Sequence, residues 1–215
     1  NQRINNKMLW ELLKQIWWLI PLFLIISFLK SPTFKGWFGE KMVEKAANRK
    51  LPQDSYHDFQ NVTLATDEGS TQIDHIYVSR FGIFVVETKN YKGWIYGKVK
   101  DAKWTQNIYG KKHLFQNPLR QNYKHIKTLE SLLDLPNGVF HSVIVFTGEC
   151  ELKSNFPVNI CRLGNFTDYI LSFDQQKLSD IQVQQICQLL TKNRLDNTLK
   201  TRHQHIQNLK KQHHK

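Results

Sequence analysis

The chain has 215 residues, enough for one sizeable domain with extensions, and 40% of them are hydrophobic, which suffices for a core. Its formal net charge of +12 favours a phosphate-bearing partner or an anionic membrane surface, with a plain solvated basic surface as the alternative. Three cysteines without C-x-x-C spacing argue against a disulfide framework or a zinc ribbon and indicate a reducing compartment.

The first element is an apolar run from Ile16 to Leu29, which has the length of a bilayer span when it is counted from Met8. We therefore expect a single-pass membrane helix over residues 8–29. A signal peptide or a buried core helix remains an alternative. The lysines that follow the run outnumber the cations before it, which favours the C-terminal side as cytoplasmic. We expect a single-pass protein of the inner or plasma membrane whose catalytic domain is cytoplasmic.

The remaining elements predict an α/β protein with a central mixed sheet flanked by helices. We divide the chain into a membrane anchor helix (1–30), a linker (31–37), one domain (38–190) and a basic, histidine-rich tail (191–215). In chain order we predict a helix at 38–48, strands at 58–65, 71–79 and 83–89, a hairpin at 94–99 and 103–108, a helix at 117–133, strands at 139–146 and 157–161, and a helix at 180–190.

The strand at 83–89 is apolar until it ends in two opposite charges. Because side chains alternate along a strand, Glu87 and Lys89 share the face of Ile83 and Val85. Two charges at the end of such a strand cost desolvation energy unless they pair or bind something. The end of this strand is therefore a candidate site.

The preceding strand supplies a second carboxylate. If Arg80 and Phe81 form a two-residue loop, Asp74 lies directly across from Glu87, with the Cβ atoms about 4.5–5.5 Å apart. Two carboxylates at that separation can share one Mg²⁺ or Mn²⁺ ion, while Lys89 stabilises a phosphate or a water. A structural ion pair between Lys89 and a carboxylate, without a metal, explains the same residues.

The histidines are weaker candidates for a metal. Alternation places His75 with Ile73 and Tyr77, opposite Asp74, so we predict that His75 is a packing residue. His125 also lies in a predicted helix, and the tail histidines have irregular spacing.

Four motifs in this order resemble the nuclease-related domain, NERD, of the PD-(D/E)XK nuclease superfamily. They are Gly39-Glu40, Gln72-Ile73-Asp74-His75-Ile76, Val86-Glu87-Thr88-Lys89-Asn90-Tyr91 and Asn117-Pro118-Leu119-Arg120-Gln121-Asn122. The resemblance covers residues 36–146 and implies a restriction-endonuclease-like core.

The resemblance also implies a role for each residue. Asp74 and Glu87 correspond to the acidic metal ligands, the main-chain carbonyl of Thr88 to a third ligand, and Lys89 to the catalytic lysine. Catalytic support is implied for two further residues, Glu40 and Gln121. The helix dipole alone explains a glutamate at the position of Glu40, and a surface role explains Gln121 equally well.

We therefore predict a membrane-anchored, Mg²⁺- or Mn²⁺-dependent nuclease that hydrolyses phosphodiester bonds, with DNA favoured over RNA. The polar side chains next to the site that we expect to hold nucleic acid are Asn90, Lys92, Lys111, Lys112, Arg120 and Lys124, unless they only keep the surface soluble. The rival predictions are a catalytically inactive nucleic-acid-binding module of the same fold and a membrane-associated interaction module.

Overall fold

The computed structural model describes residues 17–67, 69–136 and 138–195, in two units that divide between Phe38 and Gly39. The helices are α1 (Leu19–Lys30), α2 (Pro32–Lys50), α3 (Pro118–Leu133), α4 (Phe166–Leu171) and α5 (Asp180–Asn193). The strands are β1 (His57–Thr66), β2 (Gly69–Ser79), β3 (Gly82–Lys89), β4 (Gly93–Tyr96), β5 (Lys103–Ile108), β6 (Lys111–Gln116), β7 (Phe140–Phe146), β8 (Cys150–Leu152) and β9 (Ile160–Arg162).

The N-terminal unit contains α1, which buries none of its residues. By length and composition, no single helix in the described ranges could cross a bilayer, and only α1 and α2 taken together, as a bent pair, pass that test. The predicted membrane helix is therefore not confirmed, and its residues 8–16 lie outside the described ranges. The predicted linker is helical from Pro32 onward, because proline at the first position of a helix loses no hydrogen bond and has a helical φ.

The larger unit is built on a five-stranded mixed sheet in the order β1-β2-β3-β7-β9. Strand β2 pairs antiparallel with both β1 and β3, whereas β7 pairs in parallel with both β3 and β9. Ser79 pairs with Gly82 and His75 with Val86, so the loop of Arg80 and Phe81 and the predicted register are confirmed. The ladder ends one step before Asp74 and Glu87.

Apolar residues cover both faces of this sheet, as the prediction of flanking helices requires. One core joins Val85 and its neighbours to Leu129 of α3 and Ile186 of α5. The other joins Phe84 and its neighbours to Val43 of α2 and to α4. Strand β3 lies in the middle of the sheet and is buried from Gly82 to Glu87, so the residues that lead to its carboxyl end are held firmly in place.

The alternation of side chains breaks beside Asp74. Asn61 of β1 has a left-handed backbone (φ 51°), and the paired residues of β1 and β2 skip Asn61 and Asp74. As a result Ile73 packs in the same core as Ile76, which corrects the prediction that Ile73 shares a face with His75. Asparagine tolerates this conformation better than most residues do.

A second mixed sheet has the order β6-β5-β4-β8, with β4 and β8 parallel. Its buried face, with Ile95 and Trp104, packs on Ile144 and Phe146 of β7. Three of the described elements have no counterpart in the sequence prediction: β6, β8 and α4. Strand β6 is almost wholly exposed and carries no apolar alternation, which removes the usual signal. The other two are too short to show a period. Of the predicted tail, residues 196–215 lie outside the described ranges.

Candidate active site

The site centres on an ion pair at the carboxyl end of β3. The Nζ of Lys89 donates a hydrogen bond to Oε1 of Glu87 at 2.5 Å and another to Oε1 of Gln121 at 3.0 Å. The Glu87 side chain is 3% exposed and that of Lys89 is 16% exposed, so the pair is largely withdrawn from water. Gln121 belongs to α3, whose first turn is fixed by Asn117, which caps the helix by accepting from the amide of Leu119.

The second oxygen of Glu87 has its own donor. Nε2 of His125 donates to Oε2 of Glu87 at 3.1 Å, since a carboxylate can only accept. The other ring nitrogen, Nδ1, lies 2.8 Å from Oγ1 of Thr71 on β2. His125 is 4% exposed. This chain of contacts fixes the orientation of the Glu87 carboxylate.

Asp74 is held from the adjacent strand. Its Oδ2 accepts a hydrogen bond from the main-chain amide of Thr88 at 2.7 Å. This contact replaces the missing rung of the β2–β3 ladder, and it brings the Asp74 carboxylate to the strand end that carries Glu87 and Lys89.

Glu40 belongs to α2, which packs on the face of the sheet opposite to α3. Gly39 allows this packing, because a Cβ atom there would lie 2.9 Å from Oγ1 of Thr147 and 3.0 Å from Cβ of Asn90. The main-chain oxygen of Glu40 also accepts a hydrogen bond from Nε2 of His75 at 3.2 Å. His75 is buried and stacks on Tyr77, so it packs as predicted.

The carboxylates differ in their electrostatic surroundings. Burial, followed by the charges of Glu87 and Glu40, holds the pKa of Asp74 well above its ordinary value. Burial likewise raises the pKa of Glu40. At Glu87 burial also acts upward, but Lys89 and His125 outweigh it and lower the pKa. Burial acts to lower the pKa of Lys89, but the charge and the hydrogen bond of Glu87 together with the charge of Asp74 outweigh it, so the pKa is raised and Lys89 keeps its charge.

The site offers oxygen ligands of the type that a hard divalent cation prefers. Asp74, Glu87 and main-chain carbonyls offer oxygen, which Mg²⁺ and Mn²⁺ prefer, and a cation would relieve the repulsion that raises the pKa of Asp74. Within residues 17–67, 69–136 and 138–195 there is no group of three or more His, Cys, Asp or Glu side chains that could hold a metal ion. A cation at this place therefore needs main-chain oxygen or water besides the two carboxylates.

The site opens into a cleft of ≈ 1040 Å³. Lys89, Gln121 and His125 form part of its lining, and residues at the start of β5 and at the end of β6 form another part. Lys103 and Lys124 add two cations to the lining. The cleft is wide and open, which suits a polymer better than a small molecule.

The cations predicted to hold nucleic acid are not all at this cleft. Lys124 lines it, whereas Lys92 lines a separate pocket beside β4. Lys111 and Lys112 lie at the far end of the β5–β6 hairpin, because they pair with Ile108 and Asn107. The other two predicted residues do not line this cleft. Arg120 Nη2 donates to the main-chain oxygen of Lys100 at 2.7 Å, and Asn90 follows β3 directly.

Two residues of the site went unnoticed as such in the sequence. Asn122 is fully buried and donates to the main-chain oxygen of Val85 and to Oγ of Ser142, both at 2.8 Å, so it fastens α3 across β3 and β7. His125 orients Glu87 as described above. Both lie on the buried stripe of α3 with Leu129 and Leu133. Polar residues on an apolar helix stripe are the signal that could have identified them.

In this α/β fold a lysine–carboxylate pair lies at an open cleft whose lining includes Lys89, Lys103 and Lys124, which suits an anionic partner. The family model of the nuclease-related domain, NERD, matches residues 35–147, more than half of the chain. The chain belongs to the nuclease-related domain family, which points to a nuclease-like function. An uncharacterized protein of Bacillus anthracis is 40% identical over 191 residues, which are 86% of this chain and 89% of that protein. No solved structure matches the chain.

Proposed function

We propose that the protein is a nuclease of the PD-(D/E)XK type that hydrolyses phosphodiester bonds in DNA. The observation that carries this proposal is the charged lysine at the strand end. Lys89 lies between Glu87 and Gln121, next to Asp74, and faces a cleft large enough for a nucleic-acid strand. The family assignment supports the same activity.

Three residues would hold a Mg²⁺ or Mn²⁺ ion: Asp74 and Glu87 through their carboxylates and Thr88 through its main-chain carbonyl. Such an ion supplies Lewis-acid polarisation of a phosphoryl oxygen and a more acidic bound water. The chain's own residues complete the site. Lys89 orients the attacking water and stabilises negative charge on the phosphate, and Gln121 holds the ammonium of Lys89 in place.

Glu40 has a supporting role in this proposal. Its pKa is raised by burial and, to a smaller extent, by the charge of Glu87, so it belongs to the same electrostatic unit. A carboxylate whose pKa is raised above its ordinary value is a better proton acceptor during hydrolysis.

One observation favours the rival function, a nucleic-acid-binding module without turnover. Both carboxylate oxygens of Glu87 already have donors, Lys89 and His125, so this network is satisfied as a purely structural ion pair. A binding module would use the same cleft and cations and shift DNA without cutting it.

Cleavage assays separate the two functions. The full-length chain is incubated with supercoiled plasmid, single-stranded DNA, RNA and branched DNA, each with Mg²⁺, Mn²⁺ or EDTA. We expect metal-dependent cutting that is lost in Asp74→Ala and in Lys89→Ala. Lys192→Ala is the matched control, since it removes the same charge from α5, outside the cleft lining. Unchanged cleavage in both site variants contradicts the proposal, and binding without cleavage in the native chain favours the rival.

We further propose that the N-terminal segment, residues 8–29, attaches the protein to a membrane with the nuclease-like domain on the cytoplasmic side. Helix α1, which forms most of the described part of this segment, buries no side chain and exposes Ile20, Phe23 and Leu24 by more than half. Exposed apolar surface of this extent calls for an apolar partner. Co-flotation of the full-length chain with liposomes tests the attachment, which should be lost when these residues are removed.

A further inference from the structure

The outer face of the four-stranded sheet carries large apolar side chains that are partly exposed. The side chains are those of Trp94 (46% exposed), Tyr96 (37%) and Leu114 (68%). Register places them on one face, because Trp94 pairs with Asn107 and Tyr96 with Thr105, which in turn pairs with Leu114. The opposite face of the same strands is buried against β7.

A pocket of ≈ 350 Å³ lies at one end of this face. Its lining includes Trp94, Lys92 and Asn107, together with Tyr109 and Glu149. Oδ1 of Asn107 is buried and makes no hydrogen bond. A buried amide oxygen without a donor is costly unless a ligand satisfies it. These groups suit a nucleotide: an aromatic ring can stack on the base, a lysine can pair with the phosphate, and an amide can form a hydrogen bond with the edge of the base.

Tyr109 gives an independent sign of function. It is 100% exposed and has a left-handed backbone (φ 48°) at the first position of the turn between β5 and β6. Turns of this kind favour asparagine, aspartate or glycine at that position, and a bulky aromatic residue is strained there. Strain in a fully exposed aromatic residue has no role in folding, so it is better explained by contact with a ligand.

The charge around this sheet suits a polyanion. Segments 92–116 and 149–153 contain seven lysines and three carboxylates. The outer face is also continuous with the cleft at the proposed site, because Lys103, Leu114 and Gln116 line that cleft. A strand bound on this face can therefore reach Lys89.

We infer that the outer face of the four-stranded sheet binds the unpaired nucleotides of a single-stranded nucleic acid, with bases stacked on Trp94 and Tyr109 and one base edge at Asn107. This inference rests on the proposed function and specifies its substrate as a strand with an unpaired segment. It also gives a role to Lys92, Lys111 and Lys112, which lie away from the cleft. Duplex DNA lacks exposed base faces and cannot stack on these rings.

Binding without turnover tests the inference. Fluorescence anisotropy of labelled oligothymidylate, oligouridylate and a duplex is measured with the full-length chain in EDTA. Trp94→Ala and Tyr109→Asn should each weaken binding of at least one of the two single strands about 10-fold, and change duplex binding less than twofold. Tyr109→Asn should also raise Tm, because asparagine suits the turn.

Tyr123→Ala is the matched control. Tyr123 is 59% exposed and lies under Lys127, as Trp94 lies under Lys153, but it belongs to α3. Its loss should leave single-strand binding unchanged. Native affinity for both single strands in the two test variants would overturn the inference, even if the chain cuts nucleic acid. If the native chain never cuts nucleic acid, but both variants lose single-strand binding, the binding surface is supported and the proposed nuclease activity is refuted.

Discussion

The carboxylate of Asp74 accepts a hydrogen bond from the main-chain amide of Thr88 (2.7 Å), where the backbone ladder of β2 and β3 has already stopped. A side chain thus continues the pairing of two strands by one step. The acceptor is the same carboxylate whose pKa is raised by burial and by two neighbouring acids. Asp74 therefore joins the strands at a place where its ionised form is unfavourable, and function rather than stability explains its presence.

Replacing Asp74 with asparagine should stabilise the metal-free protein. Asp74→Asn removes the repulsion with Glu87 and Glu40, and the amide oxygen can still accept from Thr88. We expect Tm in EDTA to rise by about 2–4 °C, and cleavage to be lost. Differential scanning calorimetry with EDTA measures the first effect. A lower Tm would show that the charge of Asp74 is compensated without a cation.

The stability of the metal-free protein should depend on pH in two steps of opposite sign. A carboxyl whose folded pKa is raised binds more protons in the folded state, so stability increases as the pH falls from neutral through the raised pKa values of Asp74 and Glu40. The lowered pKa of Glu87 gives stability that is lost as the pH falls further, through that pKa. Tm measured against pH in EDTA should pass through a maximum, and the rise towards that maximum should shrink in Asp74→Asn.

The ion pair of Glu87 and Lys89 should show strong energetic coupling. Lys89→Met leaves Glu87 buried with one donor missing, which costs about 3–5 kcal/mol, whereas the double variant Glu87→Gln with Lys89→Met recovers part of that loss. Urea unfolding of the four proteins in the cycle measures the coupling. All three variants should lack cleavage. Additive free energies of unfolding would mean that the pair contributes nothing to the fold.

His125 should matter through Glu87. His125→Ala removes the donor to Oε2 of Glu87 and costs about 1–3 kcal/mol of stability. Because the carboxylate is no longer oriented, the metal concentration needed for half-maximal cleavage should rise about 10–100-fold. His113→Ala on the exposed strand β6 is the control and should change neither quantity. If the metal dependence of cleavage in His125→Ala is the same as in the native protein, His125 contributes only to packing.

Two glycines of α2 should respond oppositely to the same substitution. Gly36→Ala adds a Cβ atom to open space and should stabilise the helix by about 0.5–1 kcal/mol. Gly39→Ala drives the new atom towards Thr147 and Asn90, so it should destabilise the fold and displace the adjacent Glu40. Chemical denaturation and cleavage rates of the two variants check this contrast. Equal stability in both would show that α2 can shift without cost.

The sequence was most informative where a local rule determines the geometry. The two-residue loop of Arg80 and Phe81 determined the register of β2 against β3, and Asn117 with Pro118 marked the first turn of α3. The strand at 83–89 was recognisable because burial on both faces leaves a continuous apolar run. The family match at 35–147 agrees with the resemblance carried by the four motifs.

The rest depended on contacts that are distant in the sequence. Nothing in the local pattern shows that Asn61 reverses the alternation beside Asp74, since Asn61 belongs to the preceding strand. The exposed strand β6 exists because it pairs with β5, and its own residues predict a loop. The partner of His125 was equally hidden, because Glu87 is brought to it only by packing of α3 on the sheet.

The parallel pairing of β3 with β7 has a consequence for synthesis of the chain. Glu87 and Lys89 pair with Ile144 and Phe146, and the connection between the strands, residues 90–139, includes the β4–β5–β6 strands and α3. Closing such a long connection carries an entropic cost that local contacts cannot repay early, so this end of the sheet forms late in folding. A nascent chain that ends before Phe146 lacks the strand that completes the site. The proposed site is therefore incomplete until the chain has been synthesised through Phe146.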